Sequence, residues 1–92
     1  MATTDKAPAS PLAFGIASVL TDVKRERGLE QREIARLTGA TQAQVSRWSN
    51  ARVDISVQAL IDLCKGLELD LREFLATAQQ RADDYERRTS GE

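Results

Sequence analysis

The stretch from Gln31 to Asn50 reads QREIARLTGATQAQVSRWSN and decides the fold of this chain. Its first part, Gln31 to Thr38, predicts a short helix that ends at Gly39, because glycine readily takes the left-handed conformation of a helix end. A second helix begins at Thr41, a favourable N-cap residue. The apolar side chains expected to face the core are Ile34, Ala35, Leu37, Val45 and Trp48.

Two short helices joined by a glycine-containing turn predict a helix-turn-helix, in which the helices cross at roughly 90–120°. Ala35 lies where the first helix meets the second, and a larger side chain there would push the two helices apart. Gly39 allows the sharp turn, since a Cβ atom would be strained in that backbone conformation.

The outward face of the second helix carries amides, a hydroxyl and one guanidinium group, from Gln42, Gln44, Ser46 and Arg47. An amide can pair with adenine in the major groove, and an arginine pairs bidentately with guanine. No carboxylate, which would repel phosphates, lies between Ala40 and Asn50. This pattern favours a surface that reads DNA over the alternative, an ordinary solvated polar face.

The rest of the chain predicts three further helices and an all-α fold. A first helix runs from about Pro11 to Arg27 behind the cap Ser10, and a fourth begins at Ser56. Asp70 and Glu73 resemble a capping box that opens a fifth helix, and the last residues, RTSGE, are expected to fray. The inner stripe of the fourth helix is predicted to hold Val57, Leu60, Ile61, Cys64 and Leu67.

Length and composition limit the possible functions. Ninety-two residues predict one folded domain, with a flexible arm at 1–9, a DNA-binding domain at 10–76 and a helical extension and tail at 77–92. The chain has no His and a single Cys, which excludes a Cys/His zinc site and a Ser-His-Asp triad. Without a metal-ligand spacing or a phosphate-binding glycine loop, we expect no catalytic residue, no metal and no cofactor. No long apolar segment is present, so we expect a cytoplasmic protein without a membrane partner.

The charge is unevenly distributed along the chain although its net value is −1. Residues 1–53 hold 8 Lys/Arg and 5 Asp/Glu, which gives +3, whereas residues 54–92 hold 5 and 9, which gives −4. A basic half beside an acidic half is typical of a protein with one surface facing a polyanion, and chance scatter of surface charge is the alternative.

These features together resemble the XRE/Cro family of helix-turn-helix regulators, which includes the lambdoid phage repressors. The resemblance covers about residues 12–75 and the five-helix order. Its motif residues in this sequence are Gln31, Ala35, Gly39, Val45, Trp48 and Asn50. Two positions depart from the family pattern: Ala43 stands where some relatives carry a second amide, and Ser49 stands where Glu is common.

The resemblance implies a sequence-specific regulator of double-stranded DNA, acting as a repressor that occupies an operator. Gln31 is expected to contact a phosphate and support the first base-reading residue, and Arg47 to read a base. Asn50 and Arg52 match loop positions that touch the DNA backbone. The complete candidate DNA-binding set is Gln31, Arg32, Thr41, Gln42, Ala43, Gln44, Ser46, Arg47, Asn50 and Arg52.

The fifth helix is predicted to form a homodimer, because its apolar stripe continues beyond the small core. The stripe residues expected at the dimer contact are Phe74, Ala78, Ala82 and Tyr85. A lightly ordered solvated helix is the alternative. The acidic end of this helix could also dock a second protein, as in an antitoxin or an adaptor of the same fold.

Overall fold

The structure of the chain is a computed structural model that describes residues 7–90. Within this range it forms five α-helices without strands, and the predicted all-α class is confirmed. The helices are α1 (Pro11–Arg27), α2 (Gln31–Thr38), α3 (Gln42–Ser49), α4 (Val57–Gly66) and α5 (Leu71–Thr89). None of these helices combines the length and apolar character needed to cross a membrane.

The two ends of the chain differ in part from the sequence prediction. Residues 1–6 of the predicted arm lie outside the described residues, but Ala9 donates its backbone N–H to the Ala51 carbonyl at 2.9 Å. At the other end, α5 continues through Arg88 and Thr89, so the predicted frayed tail is wrong for these two residues. The helix also passes without interruption through the predicted boundary between residues 76 and 77.

The helix starts follow the capping residues. Ser10 Oγ accepts the N–H of Ala13 at 2.9 Å, and Ser56 Oγ accepts the N–H of Ala59 at 3.1 Å. The Asp70 carboxylate accepts the N–H of Glu73 at 3.1 Å. The reciprocal bond from the Glu73 side chain is not made, so only half of the predicted capping box forms.

One main hydrophobic core joins all five helices. Trp48 of α3 and Phe74 of α5 are buried in it. Its largest fully buried side chains are Leu20, Ile34, Val45, Leu63 and Leu67. Cys64 is buried in this core and is a packing group. Burial raises the pKa of its thiol, and the carboxylate of Asp70 adds to the rise.

Two side chains predicted to face the core are exposed instead. Leu37 is 42% exposed because Ile34 alone supplies the buried face of α2. Val57 is 75% exposed because the buried stripe of α4 starts one turn later, at Leu60. Leu63, which the sequence interpretation left out, is fully buried on that later stripe.

α5 packs against α1 at very short range. An ideal Cβ on Gly15 would lie 2.0 Å from the Ala78 carbonyl oxygen, so the two backbones touch at this point. Arg81 donates to Ser18 Oγ at 2.9 Å and contacts the Asp22 carboxylate at 2.7 Å. The hydrogen bond from Arg81 holds the pKa of the Asp22 carboxyl below its usual value.

This packing removes the reason for the predicted dimer contact. Phe74, Ala78 and Ala82 are buried against their own chain, and Tyr85 stacks on Phe14 with ring centroids 4.6 Å apart. The prediction that this stripe lacks a partner within its own chain was wrong, because α1 is long enough to cover it. Phe74, Ala78 and Ala82 are therefore not accessible to a second copy, whereas Tyr85 stays half-buried.

We expect the substitution Glu68→Gly to stabilise the fold. Glu68 is exposed and has φ of 55°, a left-handed conformation that costs a residue with a Cβ roughly 1–2 kcal/mol. Glycine removes this strain but gains entropy in the unfolded chain, which leaves a net gain of about 0.5–1 kcal/mol. Thermal unfolding measures the difference. The matched control is Ala51→Gly, at φ of 56°, where the loss of a buried methyl group should cancel the gain.

Candidate nucleic-acid interface

The turn between α2 and α3 depends on the backbone conformation of Gly39. This residue has φ of 79°, and its N–H donates to the Ala35 carbonyl at 2.9 Å. A Cβ at Gly39 would meet no atom within 4 Å, so the conformation and not the space requires glycine. Ala35 is half-buried against the core, as the helix-turn-helix prediction requires.

The orientation of α3 is fixed by its buried face. Val45 is fully buried and Trp48 is nearly so, and α3 packs against both α1 and α2. These contacts hold one side of a two-turn helix to the core, and the opposite side is left in solvent. A rigid helix that presents one face is the element needed to enter a major groove.

The structure brings most of the predicted DNA-binding residues to one exposed surface around α3. Gln31 and Ser46 are half-buried. The exposed members of the set are Arg32, Thr41, Gln42, Ala43, Gln44, Arg47, Asn50 and Arg52. We name the surface formed by residues 41–52 that lie outside the core the α3 face. It contains no Asp or Glu.

Two of the amides on the α3 face are committed to the helix itself. The Gln44 side-chain oxygen accepts the backbone N–H of Thr41 at 2.9 Å, while the Thr41 hydroxyl accepts the N–H of Gln44 at 3.1 Å. This reciprocal pair is a capping box. The Asn50 amide donates to the Ser46 carbonyl at 2.9 Å. Gln44 and Asn50 therefore keep only part of their hydrogen-bonding capacity for a ligand.

Three other polar side chains of the α3 face are uncommitted. Within residues 7–90, the side chains of Gln42, Arg47 and Arg52 make neither a hydrogen bond nor an ion pair. Arg32, at the start of α2, has only a 3.5 Å contact with Glu30, and both side chains are mostly in solvent. Such a contact contributes little, so Arg32 is also available to a polyanion.

The sequence interpretation missed the residues that bound the α3 face on one side. A cleft of about 260 Å³ separates the α2–α3 turn from the start of α4, and Gln44, Gln58 and Asp62 line it. The Gln58 amide donates to the Asp62 carboxylate at 3.0 Å. The N-cap residue Ser56 was the sequence signal that could have identified Gln58, since it places Gln58 in the first turn of α4. The carboxylate of Asp62 therefore lies at this cleft, beside the α3 face that itself contains no Asp or Glu.

Comparisons with known proteins agree with this geometry. Residues 16–77 match the family model described as a helix-turn-helix domain, whereas no curated protein sequence matches the chain. The chain is similar in structure to the clp gene regulator ClgR from C. glutamicum, with a TM-score of 0.68 and 20% sequence identity. This similarity covers 75% of this chain and 90% of that chain. The structural likeness and the family match confirm the resemblance predicted from the sequence at the level of the fold, and the chain belongs to the helix-turn-helix domain family, with its DNA-binding fold.

Proposed function

We propose that this protein is a transcriptional regulator that binds double-stranded DNA sequence-specifically, with α3 in the major groove. The observation that carries the proposal is the α3 face, which is held to the core by Val45 and Trp48 and bears amides and guanidinium groups without a carboxylate. The major groove is about 12 Å wide and admits an α-helix, and it displays a distinct donor and acceptor pattern for each base pair.

Gln42 and Arg47 are the principal base readers in this proposal. Both side chains are exposed and uncommitted, so binding DNA breaks no interaction within the protein. The Gln42 amide matches adenine, and the planar fork of Arg47 matches guanine. Ala43 offers only a methyl group, which suits contact with the methyl of thymine. Gln44 contributes through its remaining amide N–H groups, because its oxygen caps α3.

The other members of the candidate set position the protein on the phosphate backbone. Hydroxyl, amide and guanidinium groups commonly bind phosphates, which fixes register without reading sequence. We assign this role to Gln31, Arg32, Thr41, Ser46, Asn50 and Arg52. A protein bound at a promoter in this way would repress transcription by occupying the site.

A homodimer remains part of the proposal. Two copies related by a two-fold axis would place their α3 helices in successive major grooves, about 34–36 Å apart, on a roughly palindromic operator. Phe74, Ala78 and Ala82 are buried within their own chain, so in this proposal the contact between copies uses other residues.

We expect Arg52→Ala to weaken binding to all DNA sequences about equally. A phosphate-binding arginine releases counterions, so its loss should reduce the slope of log K against log salt by about 1. Titrations with a matched and a scrambled duplex, at salt concentrations between about 50 and 200 mM, measure both effects. A loss confined to the matched duplex would instead make Arg52 a base reader.

A second candidate function is a protein-interaction module, such as an antitoxin or an adaptor, that uses the acidic end of α5. Asp83 and Glu86 are exposed there. However, Asp83 accepts a hydrogen bond from Gln79, and Asp84 pairs with Arg87. With Ala78 and Ala82 buried, this end of α5 offers a partner mainly polar and charged surface, so we favour DNA binding.

A further inference from the structure

The side-chain amide of Gln44 has a fixed orientation, because one of its two ends is bound to the start of α3. Its carbonyl oxygen accepts the backbone N–H of Thr41 at 2.9 Å, and the Thr41 hydroxyl makes a longer contact with the same oxygen at 3.4 Å. A backbone N–H can only donate, so an amide turned the other way round would place two donors against each other. The oxygen of Gln44 therefore faces the protein, and its NH₂ group is left for a ligand.

The NH₂ group of Gln44 is free to bind outside the chain. Gln44 is exposed, and among residues 7–90 its amide nitrogen donates to no acceptor. Gln44 borders the cleft toward α4, but the hydrogen bond to the Asp62 carboxylate there comes from Gln58. Gln44 is the third residue of α3, and the N-terminal residues of a recognition helix are those that reach base edges. Two N–H donors thus lie at the end of α3 from which bases are read.

The four bases differ in what they offer to a group that can only donate. In the major groove guanine displays two acceptors, N7 and O6, whereas adenine displays the acceptor N7 beside the donor N6–H₂. The usual bidentate pair between glutamine and adenine needs the amide oxygen, which in Gln44 is already bound to Thr41. Cytosine offers only a donor, and thymine offers a single acceptor. Guanine is therefore the base whose edge matches both donors of the Gln44 amide.

Gln42 carries the same side chain two residues earlier but is not restricted in this way. It is the first residue of α3, and within residues 7–90 its side chain makes no hydrogen bond. Its amide can therefore turn to present a donor and an acceptor together, which matches adenine. Two glutamines on one helix thus match different bases, and the capping bond of Gln44 accounts for the difference.

We propose that the capping bond to Thr41 makes Gln44 a donor-only reader that selects guanine over adenine in the bound DNA. The reading of guanine rests on the proposed function, but the capping bond can be tested without DNA. Gln44→Glu keeps an oxygen for the Thr41 N–H, as in the usual capping box, and removes both donors. Gln44→Ala removes the cap and the donors together. The control is Gln42→Glu, which adds the same charge to α3 at a position without the capping bond.

Hydrogen exchange of the Thr41 amide in the free protein, followed by NMR, tests the capping bond. Thr41 is exposed, and the Gln44 oxygen is the acceptor of its N–H, so protection of this amide reports the bond. The exchange should be roughly fivefold slower in wild type and in Gln44→Glu than in Gln44→Ala, the protection expected from one hydrogen bond. Circular dichroism checks that each variant folds. Equal exchange in wild type and Gln44→Ala would overturn the proposal.

Titration of a selected duplex, and of duplexes with each base pair of its half-site replaced in turn, tests the base reading. Wild type and Gln42→Glu should lose at least about fivefold in affinity when one particular G·C pair becomes A·T. That loss should fall to about twofold or less in Gln44→Ala, and it should vanish or reverse in Gln44→Glu, since a carboxylate only accepts. Arg47→Ala should relax a different base pair.

The outcomes separate this reading from the proposed function. If the Gln44 variants relax an A·T pair, or relax no pair, the selection of guanine is wrong while DNA binding through α3 stands. A wild type that binds no duplex refutes the proposed function and the reading of guanine together, and exchange of the Thr41 amide then still decides whether the capping bond forms.

Discussion

Replacing Gly15 by alanine should destabilise the fold by at least about 3 kcal/mol, beyond the usual range for an overpacked core. The new Cβ would lie 2.0 Å from the Ala78 carbonyl oxygen and 2.8 Å from its carbonyl carbon. Both atoms belong to the backbone, so α1 and α5 must separate to admit the methyl group. Alanine favours the helix over glycine by about 1 kcal/mol, so a site with room for the methyl group would become more stable instead. Urea or thermal unfolding gives the sign and size of the change.

The matched control for this prediction is Gly28→Ala. A Cβ at Gly28 meets no atom within 4 Å, so its cost of about 1 kcal/mol is conformational and arises from φ of 65°. The contact between α1 and α5 predicts a clearly greater loss at Gly15 than at Gly28. Equal losses, or a more stable Gly15→Ala variant, would contradict the close packing that buries the second half of α5.

Alanine substitutions at Gln42 and Arg47 should each cost roughly 1–3 kcal/mol of binding to the preferred DNA site, or about 5- to 150-fold in affinity. Neither side chain has a partner among residues 7–90 whose loss would disturb the fold, so unfolding midpoints should stay unchanged. Gln42→Ala should leave binding to scrambled DNA nearly unaffected, because the amide carries no charge. Arg47→Ala should weaken it modestly, because one cation is lost. Fluorescence titration with matched and scrambled duplexes separates these effects.

Arg25→Ala is the charge-matched control for Arg47→Ala. Arg25 is exposed on α1 and pairs with Asp22, which also binds Arg81 of α5. Its removal changes the net charge by the same amount on α1, outside the candidate DNA-binding set. If Arg25→Ala lost as much affinity for the matched site as Arg47→Ala, the effect of Arg47 would be general electrostatics. Unchanged binding by both Gln42→Ala and Arg47→Ala would remove α3 as the reading element.

The helices were predictable from the sequence because their ends are set locally. Ser10, Ser56 and Gly28 cap through hydrogen bonds or backbone conformations that involve only nearby residues, and the structure confirms these ends. The buried pair Val45 and Trp48 was equally predictable, since their spacing places both on one face of α3. Because this pair faces the core, the polar residues of α3 could be assigned to its solvent-facing side.

The errors arose where the outcome depends on residues far apart in the chain. The stripe of α5 is covered by α1, and the backbone contact that permits this involves Gly15 and Ala78, which no local pattern connects. The exposure of Val57 likewise depends on how α4 meets the rest of the core. The commitment of Gln44 to a cap was a different case, because a Thr with Gln three residues later is a local signature that could have been recognised.

The most direct test of the central claim is the selection of binding sites from random double-stranded DNA with the full chain at near-physiological salt. Sequence reading by the α3 face predicts enrichment of a defined half-site, and pairing of two copies predicts that it recurs as an inverted repeat with centres about 34–36 Å apart. The same selection with the Gln42→Ala, Arg47→Ala double variant should lose the motif. A wild-type pool that remains random after repeated rounds would contradict sequence-specific recognition by this protein.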